Sequence, residues 1–269
     1  MLDLYHYEMS VCSQKARMTL SEKNLEWRSH DVNLFTHEQF DPEYLKLNPK
    51  GYVPTLVHDG KAIRESTLIC EYLDEIVPSP PLMPADAHAR VLVRLWSKAV
   101  DEGLFEGVTV FSFSAMFRDR MKNLPAEERE RRYRNVGNPT RRDRHISMFE
   151  QGVDSPYVFR AVGAYETAFK EMEETLANGS DWLVGEMFSL AEVNLAPFFA
   201  RLECLTLLDL WLGERPAVRG WWKRVKDRPS YQAEISDKHT PEEVDEMAVT
   251  GARIKPRIAE IRTNYLAWA

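Results

Sequence analysis

Two serines and a cysteine stand close together in Met9-Ser10-Val11-Cys12-Ser13-Gln14-Lys15. A thiol ionises near pH 8.5 on its own, and its thiolate is stabilised by the free N–H groups of a helix start and by nearby hydrogen-bond donors. Ser10 and Ser13 are such donors, and Cys12 is itself a thiol. The trio therefore suits a sulfur nucleophile, its own or a ligand's. The ordinary alternative is that a serine caps the helix and the cysteine packs as a small hydrophobe. A second candidate is Val53-Pro54-Thr55. Proline at a strand start marks a turn, and a cis peptide there frees the Val53 backbone to pair with an extended peptide; a trans edge proline is the alternative. A third is Arg64-Glu65-Ser66-Thr67, where a helix start and the Ser66 hydroxyl suit a carboxylate and Glu65 suits an ammonium. Glu and Ser are also ordinary helix-start residues. In this order the three make the requirements for binding a small cysteine peptide.

The elements that must position these residues alternate in type over the first eighty positions and read helical afterwards. Residues 2–6 and 26–32 pattern as strands, 12–23 as a helix and 37–47 as a short helical piece. Residues 54–58 and 61–64 are brief apolar runs around Asp59-Gly60, a dipeptide that favours a two-residue hairpin turn. A helix over 65–77 comes next. The order β-α-β-α-β-β-α is that of a thioredoxin-like α/β domain, expected over residues 1–78. A linker over 79–86, bounded and filled by Pro78, Pro80, Pro81 and Pro84, stops the last helix. An all-α helical bundle is expected over 87–232, beginning with a long helix over 87–118, and a helical C-terminal extension over 233–269. Ser189-Leu190-Ala191-Glu192 has the form of a capping box.

Composition narrows the class. A chain of 269 residues with 44% hydrophobic and 29% charged residues fits two modest globular domains. A net charge of −7 argues against a general nucleic-acid binder. The most apolar stretch, 195–212, is broken by Pro197, Arg201, Glu203 and Asp209, so no membrane span is expected. Three widely spaced cysteines, Cys12, Cys70 and Cys204, suit a reducing compartment, and no signal-peptide pattern opens the chain, so a cytoplasmic location is expected. The histidines and cysteines lack metal-ligand spacing, and no metal site is expected. Arg129, Arg131, Arg132, Arg134, Arg141, Arg142 and Arg144 alternate with Glu127, Glu128, Glu130 and Asp143, which reads as a solvated mixed-charge face.

Leu47-Asn48-Pro49-Lys50-Gly51-Tyr52-Val53-Pro54-Thr55-Leu56 and Glu65-Ser66-Thr67-Leu68-Ile69-Cys70-Glu71-Tyr72-Leu73 resemble the cis-proline segment and glutamyl-binding helix of glutathione transferases. The resemblance covers about residues 1–232. It implies glutathione as cosubstrate, bound by Val53, Pro54, Glu65 and Ser66, with its sulfur served by Ser13, Cys12 or Ser10. It also implies a homodimer. Residues 65–75, Trp96-Ser97-Lys98-Ala99-Val100-Asp101-Glu102 and Asn135-Val136-Gly137-Asn138-Pro139 resemble bacterial glutathione-dependent β-aryl etherases. The turn at Ser10–Ser13 resembles that of tetrachlorohydroquinone reductive dehalogenases and zeta-class transferases. The activity so implied is attack of the glutathione thiolate on a small aromatic electrophile, with aryl ether cleavage first. A dehalogenase, thioether lyase or isomerase using Cys12, and a non-catalytic glutathione-fold binding protein, are the alternatives. An acceptor site between the domains is expected to use Tyr7 and Met9 with Phe111, Phe113 and Phe117.

Overall fold

Alternation along the first strand already points inward: in β1 (Leu2–His6), Leu2, Leu4 and His6 are buried while Asp3 and Tyr5 are half-buried. The computed structural model describes residues 1–135 and 138–268. Val136 and Gly137 of the etherase-like motif lie outside the described residues, as do the side chains of Arg131, Arg132, Arg134 and Asn135. After β1 come α1 (Val11–Glu22), β2 (Arg28–Asp31), a 3-10 turn (Glu38–Phe40), α2 (Pro42–Leu47), β3 (Thr55–His58), β4 (Lys61–Arg64) and α3 (Ser66–Ile76). The sheet order is β2-β1-β3-β4, with β1 and β2 parallel and the other pairs antiparallel. Asp59 and Gly60 both take positive φ, 48° and 78°, as a tight hairpin with this strand twist requires. Leu2, Leu4 and Leu56 of the sheet pack with Ala16 and Leu20 of α1 and Ile69 and Leu73 of α3. This is the expected α/β order.

The chain forms two compact units. The first comprises Met1–Lys98, Thr175–Pro197 and Arg219–His239. Within it the proline linker is tied down: Asp74 accepts from Leu82 N at 2.8 Å and Met83 N at 3.2 Å and pairs with the buried Lys23 ammonium. The capping box forms as its spacing predicts. Ser189 N and Oγ donate to Glu192 Oε2 at 2.8 and 2.7 Å, and Ala191 N donates to Ser189 Oγ at 3.2 Å. Leu183 N donates to the other Glu192 oxygen at 2.8 Å, so the buried carboxylate also holds the incoming loop.

The second unit comprises Ala99–Glu174, Phe198–Val218 and Thr240–Ala269. The long helix expected over 87–118 is α4 (Ala87–Ala99), a π-helical turn (Val100–Leu104), α5 (Phe105–Ser112), a second π turn (Phe113–Phe117) and α6 (Arg118–Lys122). Each π turn inserts one residue, which rotates the side chains after it by about 100° from their α-helical directions. Next along the chain are α7 (Ala126–Asn135), α8 (Pro139–Gln151), α9 (Pro156–Leu176), α10 (Leu190–Cys204), α11 (Asp209–Leu212), α12 (Pro216–Lys226), α13 (Pro229–Glu234) and α14 (Pro241–Trp268). The core of this unit is a set of rings from Phe111, Tyr165, Phe169, Phe199 and Trp211. The C-terminal helix α14 docks on it closely enough that Gly251 meets the Leu205 backbone with no room for a Cβ.

Candidate active site

One row of the sheet register gathers the three motifs. Tyr5 lies opposite Thr55, and Thr55 lies opposite Arg64. The turn after β1, the proline before β3 and the turn after β4 therefore emerge at the same end of the sheet, where α1 and α3 both begin. Two helix N-termini with partial positive charge face that end.

In the first turn, Ser10 is the N-cap of α1, and its Oγ accepts from Ser13 N at 3.3 Å. Ser10 N donates to Tyr7 O at 3.0 Å, while Tyr7 N donates to Ser13 Oγ at 3.3 Å. Both hydroxyl oxygens thus accept from the backbone, which orients each O–H hydrogen away from it. Ser10 and Cys12 are half-buried, whereas Ser13 is 0% exposed. Ser10 and Cys12 are therefore open to solvent where Ser13 is covered, and Ser13 supports the turn behind them.

The second turn is built to hold one backbone shape. The Val53–Pro54 peptide is cis. Tyr44 Oη donates to Tyr52 O at 2.5 Å and lies 3.0 Å from Thr55 Oγ1; Asn48 Nδ2 donates to the same carbonyl at 2.9 Å. Burial pushes the Tyr44 phenol up to about 12, so it remains a donor. Gly51 has φ +61°, and a Cβ there would lie 2.8 Å from the Phe40 ring. The Val53 backbone N–H and C=O take no hydrogen bond among the described residues.

At the third turn Glu65 is the residue before α3 and carries φ +67°, ψ 112°, a conformation that costs of order 1–3 kcal/mol for a residue with a Cβ. Such strain collects at ligand clamps. Its exposed carboxylate accepts from Lys50 Nζ at 2.7 Å, and that hydrogen bond raises the lysine above its ordinary range. Ser66 beside it is buried at the first position of the helix.

The expected acceptor residues divide differently. Tyr7 and Met9 are half-buried in the first unit, with the Tyr7 ring edge-on to Phe35 at 5.8 Å. Phe111 is 0% exposed between Tyr165 and Trp211 and serves the core of the second unit. Phe113 is buried against the His145 ring at 5.9 Å, and Phe117 is half-buried with the Arg120 guanidinium 5.8 Å from its ring centre. The aromatic pattern alone does not reveal this, because the π turns redirect the side chains after position 100. Tyr44, Asn48 and the Lys50 partner of Glu65 were not singled out by residue type; the only local signal for them is their place in the segment leading to Pro54.

The N-terminal domain model of the glutathione S-transferases matches residues 4–81, and their C-terminal domain model matches residues 140–229. Protein LigF of Sphingobium sp. (strain NBRC 103272 / SYK-6) is 32% identical over 250 residues, covering 85% of this chain and 91% of LigF. The tetrachloro-p-hydroquinone reductive dehalogenase of Sphingobium chlorophenolicum is 26% identical over 238 residues, 86% of this chain and 94% of that protein. The crystal structure of the β-etherase LigF aligns with a TM-score of 0.77 at 28% identity, over 88% of this chain and 99% of that one. A thioredoxin-like sheet with a cis-proline, followed by helices, is the architecture of the glutathione transferases. The chain belongs to the glutathione S-transferase family.

Proposed function

We propose that the protein transfers glutathione to a small aromatic electrophile, cleaving a β-aryl ether. The observation that carries the reading is the convergence of the three motifs on one sheet end through the row Tyr5, Thr55 and Arg64. The Val53 backbone pairs with the tripeptide as an added strand does. Ser66 and the first N–H groups of α3 take the γ-glutamyl carboxylate, and Glu65 takes its ammonium. At the sulfur, the Ser10 hydroxyl and the start of α1 favour the thiolate, whose proton leaves to solvent. The thiolate then attacks the carbon bearing the aryloxy group: a C–S bond forms, the C–O bond breaks, and phenolate departs and takes a proton from water. Tyr7 and Met9, on the loop that carries Ser10, border the sulfur on the acceptor's side. Similarity to LigF supports this substrate class. A cytoplasmic homodimer is the working state.

A second reading is favoured by the half-buried Cys12 and the dehalogenase likeness. In it, halide is displaced from the acceptor by glutathione; the Cys12 thiolate then attacks the thioether sulfur, carbon departs with a proton, and a second glutathione reduces the mixed disulfide. Incubation with glutathione and a panel of aryl ethers, halogenated hydroquinones and glutathionyl thioethers, read by mass spectrometry, separates the two. Free phenol plus a glutathionyl thioether supports ether cleavage. Dehalogenated product with glutathione disulfide, abolished by Cys12→Ser, supports the second reading. No turnover of any of them, with no glutathione binding in calorimetry, leaves a non-catalytic binding protein.

A further inference from the structure

Arg17 lies one helical turn beyond Ser13 on the same face of α1 and is 1% exposed. A buried guanidinium is stable only with its donors met and its charge countered. Its Nη2 donates to Glu8 O at 3.1 Å and to Glu234 O at 2.8 Å, and its Nη1 lies 3.3 Å from His6 Nδ1. The Glu234 carboxylate is 3.4 Å from Nε and the Glu8 carboxylate 3.7 Å from Nη2. The Lys238 ammonium completes the cluster, 3.8 Å from Glu8. Glu8 is the residue between Tyr7, which both site serines engage through their backbone or hydroxyl, and Met9. The guanidinium therefore grips a carbonyl of the turn that neither serine engages, and Glu234, more than two hundred positions away in sequence, holds the guanidinium.

We propose that Arg17 is a positioning residue for the thiol site: it fixes the turn from Tyr7 to Ser10 through the Glu8 carbonyl, and Glu234 of α13 anchors it there. The segment around Glu234, distant in sequence, thereby becomes part of the sulfur-activating apparatus. This rests on the glutathione reading above. A lysine has the charge but not the planar fork needed to reach Glu8, Glu234 and His6 together.

The test titrates the ultraviolet absorbance of bound glutathione thiolate in the full-length protein and in Arg17→Met, Arg17→Lys and Glu234→Gln, with kcat and the KM for glutathione beside it. In Arg17→Met the bound thiol titrates about one pH unit higher, a tenfold loss of thiolate on the acid side of its pKa, with kcat falling in parallel and KM unchanged. Arg17→Lys recovers part of the shift, and Glu234→Gln moves it in the same direction by less. Unchanged thiol titration in the variants, with only a lower melting temperature, overturns the proposal. Should Arg17→Met not fold, the Glu234→Gln titration decides in its place. A wild-type protein that shows no bound thiolate refutes the glutathione reading itself, and this inference with it.

Discussion

The sheet end of the first unit and the aromatic interior of the second are both rich in chemistry-bearing residues, yet they are specified in different ways. At the sheet end the working parts are backbone shapes: a capped helix start, a cis-proline, a residue held at positive φ. The cap is encoded within a few residues, because caps are local, while the other two sit at positions that local sequence marks as turns without fixing their geometry. In the second unit the same kind of ring-rich pattern reads equally well as a binding surface or as a core. The structure makes Phe111 core, packed on Tyr165 and Trp211. Sites made of backbone can be read along the chain, whereas sites made of side-chain surfaces depend on what packs against them.

The largest effect expected from this contrast is at Phe111. Phe111→Ala should lower unfolding free energy by about 3–5 kcal/mol, measured by denaturant titration. If Phe111 lined a substrate surface instead, KM for the acceptor would rise with little loss of stability. Next, Ser10→Ala should reduce kcat/KM on the order of a hundredfold, as loss of a donor to a developing anion does, with the melting temperature changed only by loss of a cap. Equal activity in Ser10→Ala and wild type would remove the serine from the sulfur site and turn attention to Cys12. Glu65→Gly sharpens the idea of a strained clamp: relief of the positive φ should leave stability level or raised, while KM for glutathione rises roughly tenfold from loss of a charged partner.

The last effect, absent at neutral pH, is on acid stability. Burial, with Arg17 close by, pushes His6 down to about 4, and burial pushes His145 in the second unit down to about 3. An unfolded histidine titrates near 6.5, so below that pH the unfolded state binds more protons than the folded one. Stability contributed by the neutral ring is complete above 6.5, falls as pH drops towards 4, and changes no further below it for His6. His6 Nε2 lies 2.7 Å from Ser29 Oγ, and the ring can supply that proton while Nδ1 accepts from Arg17. His6→Gln should flatten the slope of melting temperature between pH 6.5 and 4; an unaltered slope would show that His6 carries none of it.

Much of the α/β half was legible in advance. The hairpin at Asp59-Gly60, the α3 start and the Ser189 to Glu192 box all arise from short-range stereochemistry, and each forms. The difference in exposure among Ser10, Cys12 and Ser13 was not legible, since all three share one turn and differ in what covers them. Arg17 carries no signal of its own in the sequence, and nothing near it names Glu234. The breaks in the helix after Ala99 were also hidden, because a π turn inserts one residue within a continuing helical run and has no cap or proline to mark it.

Amino-acid order alone carried the α/β element order of the first domain, the hairpin and the capped helix starts, and its resemblance to the glutathione transferases named the family and the ligand, since hydrogen bonds between near neighbours decide caps and hairpins. Tertiary packing decided which hydroxyl meets solvent, which rings became core, and which distant carboxylate anchors Arg17. Burial and charge pairing are sums over neighbours drawn from remote parts of the chain, and no local stretch of sequence contains them.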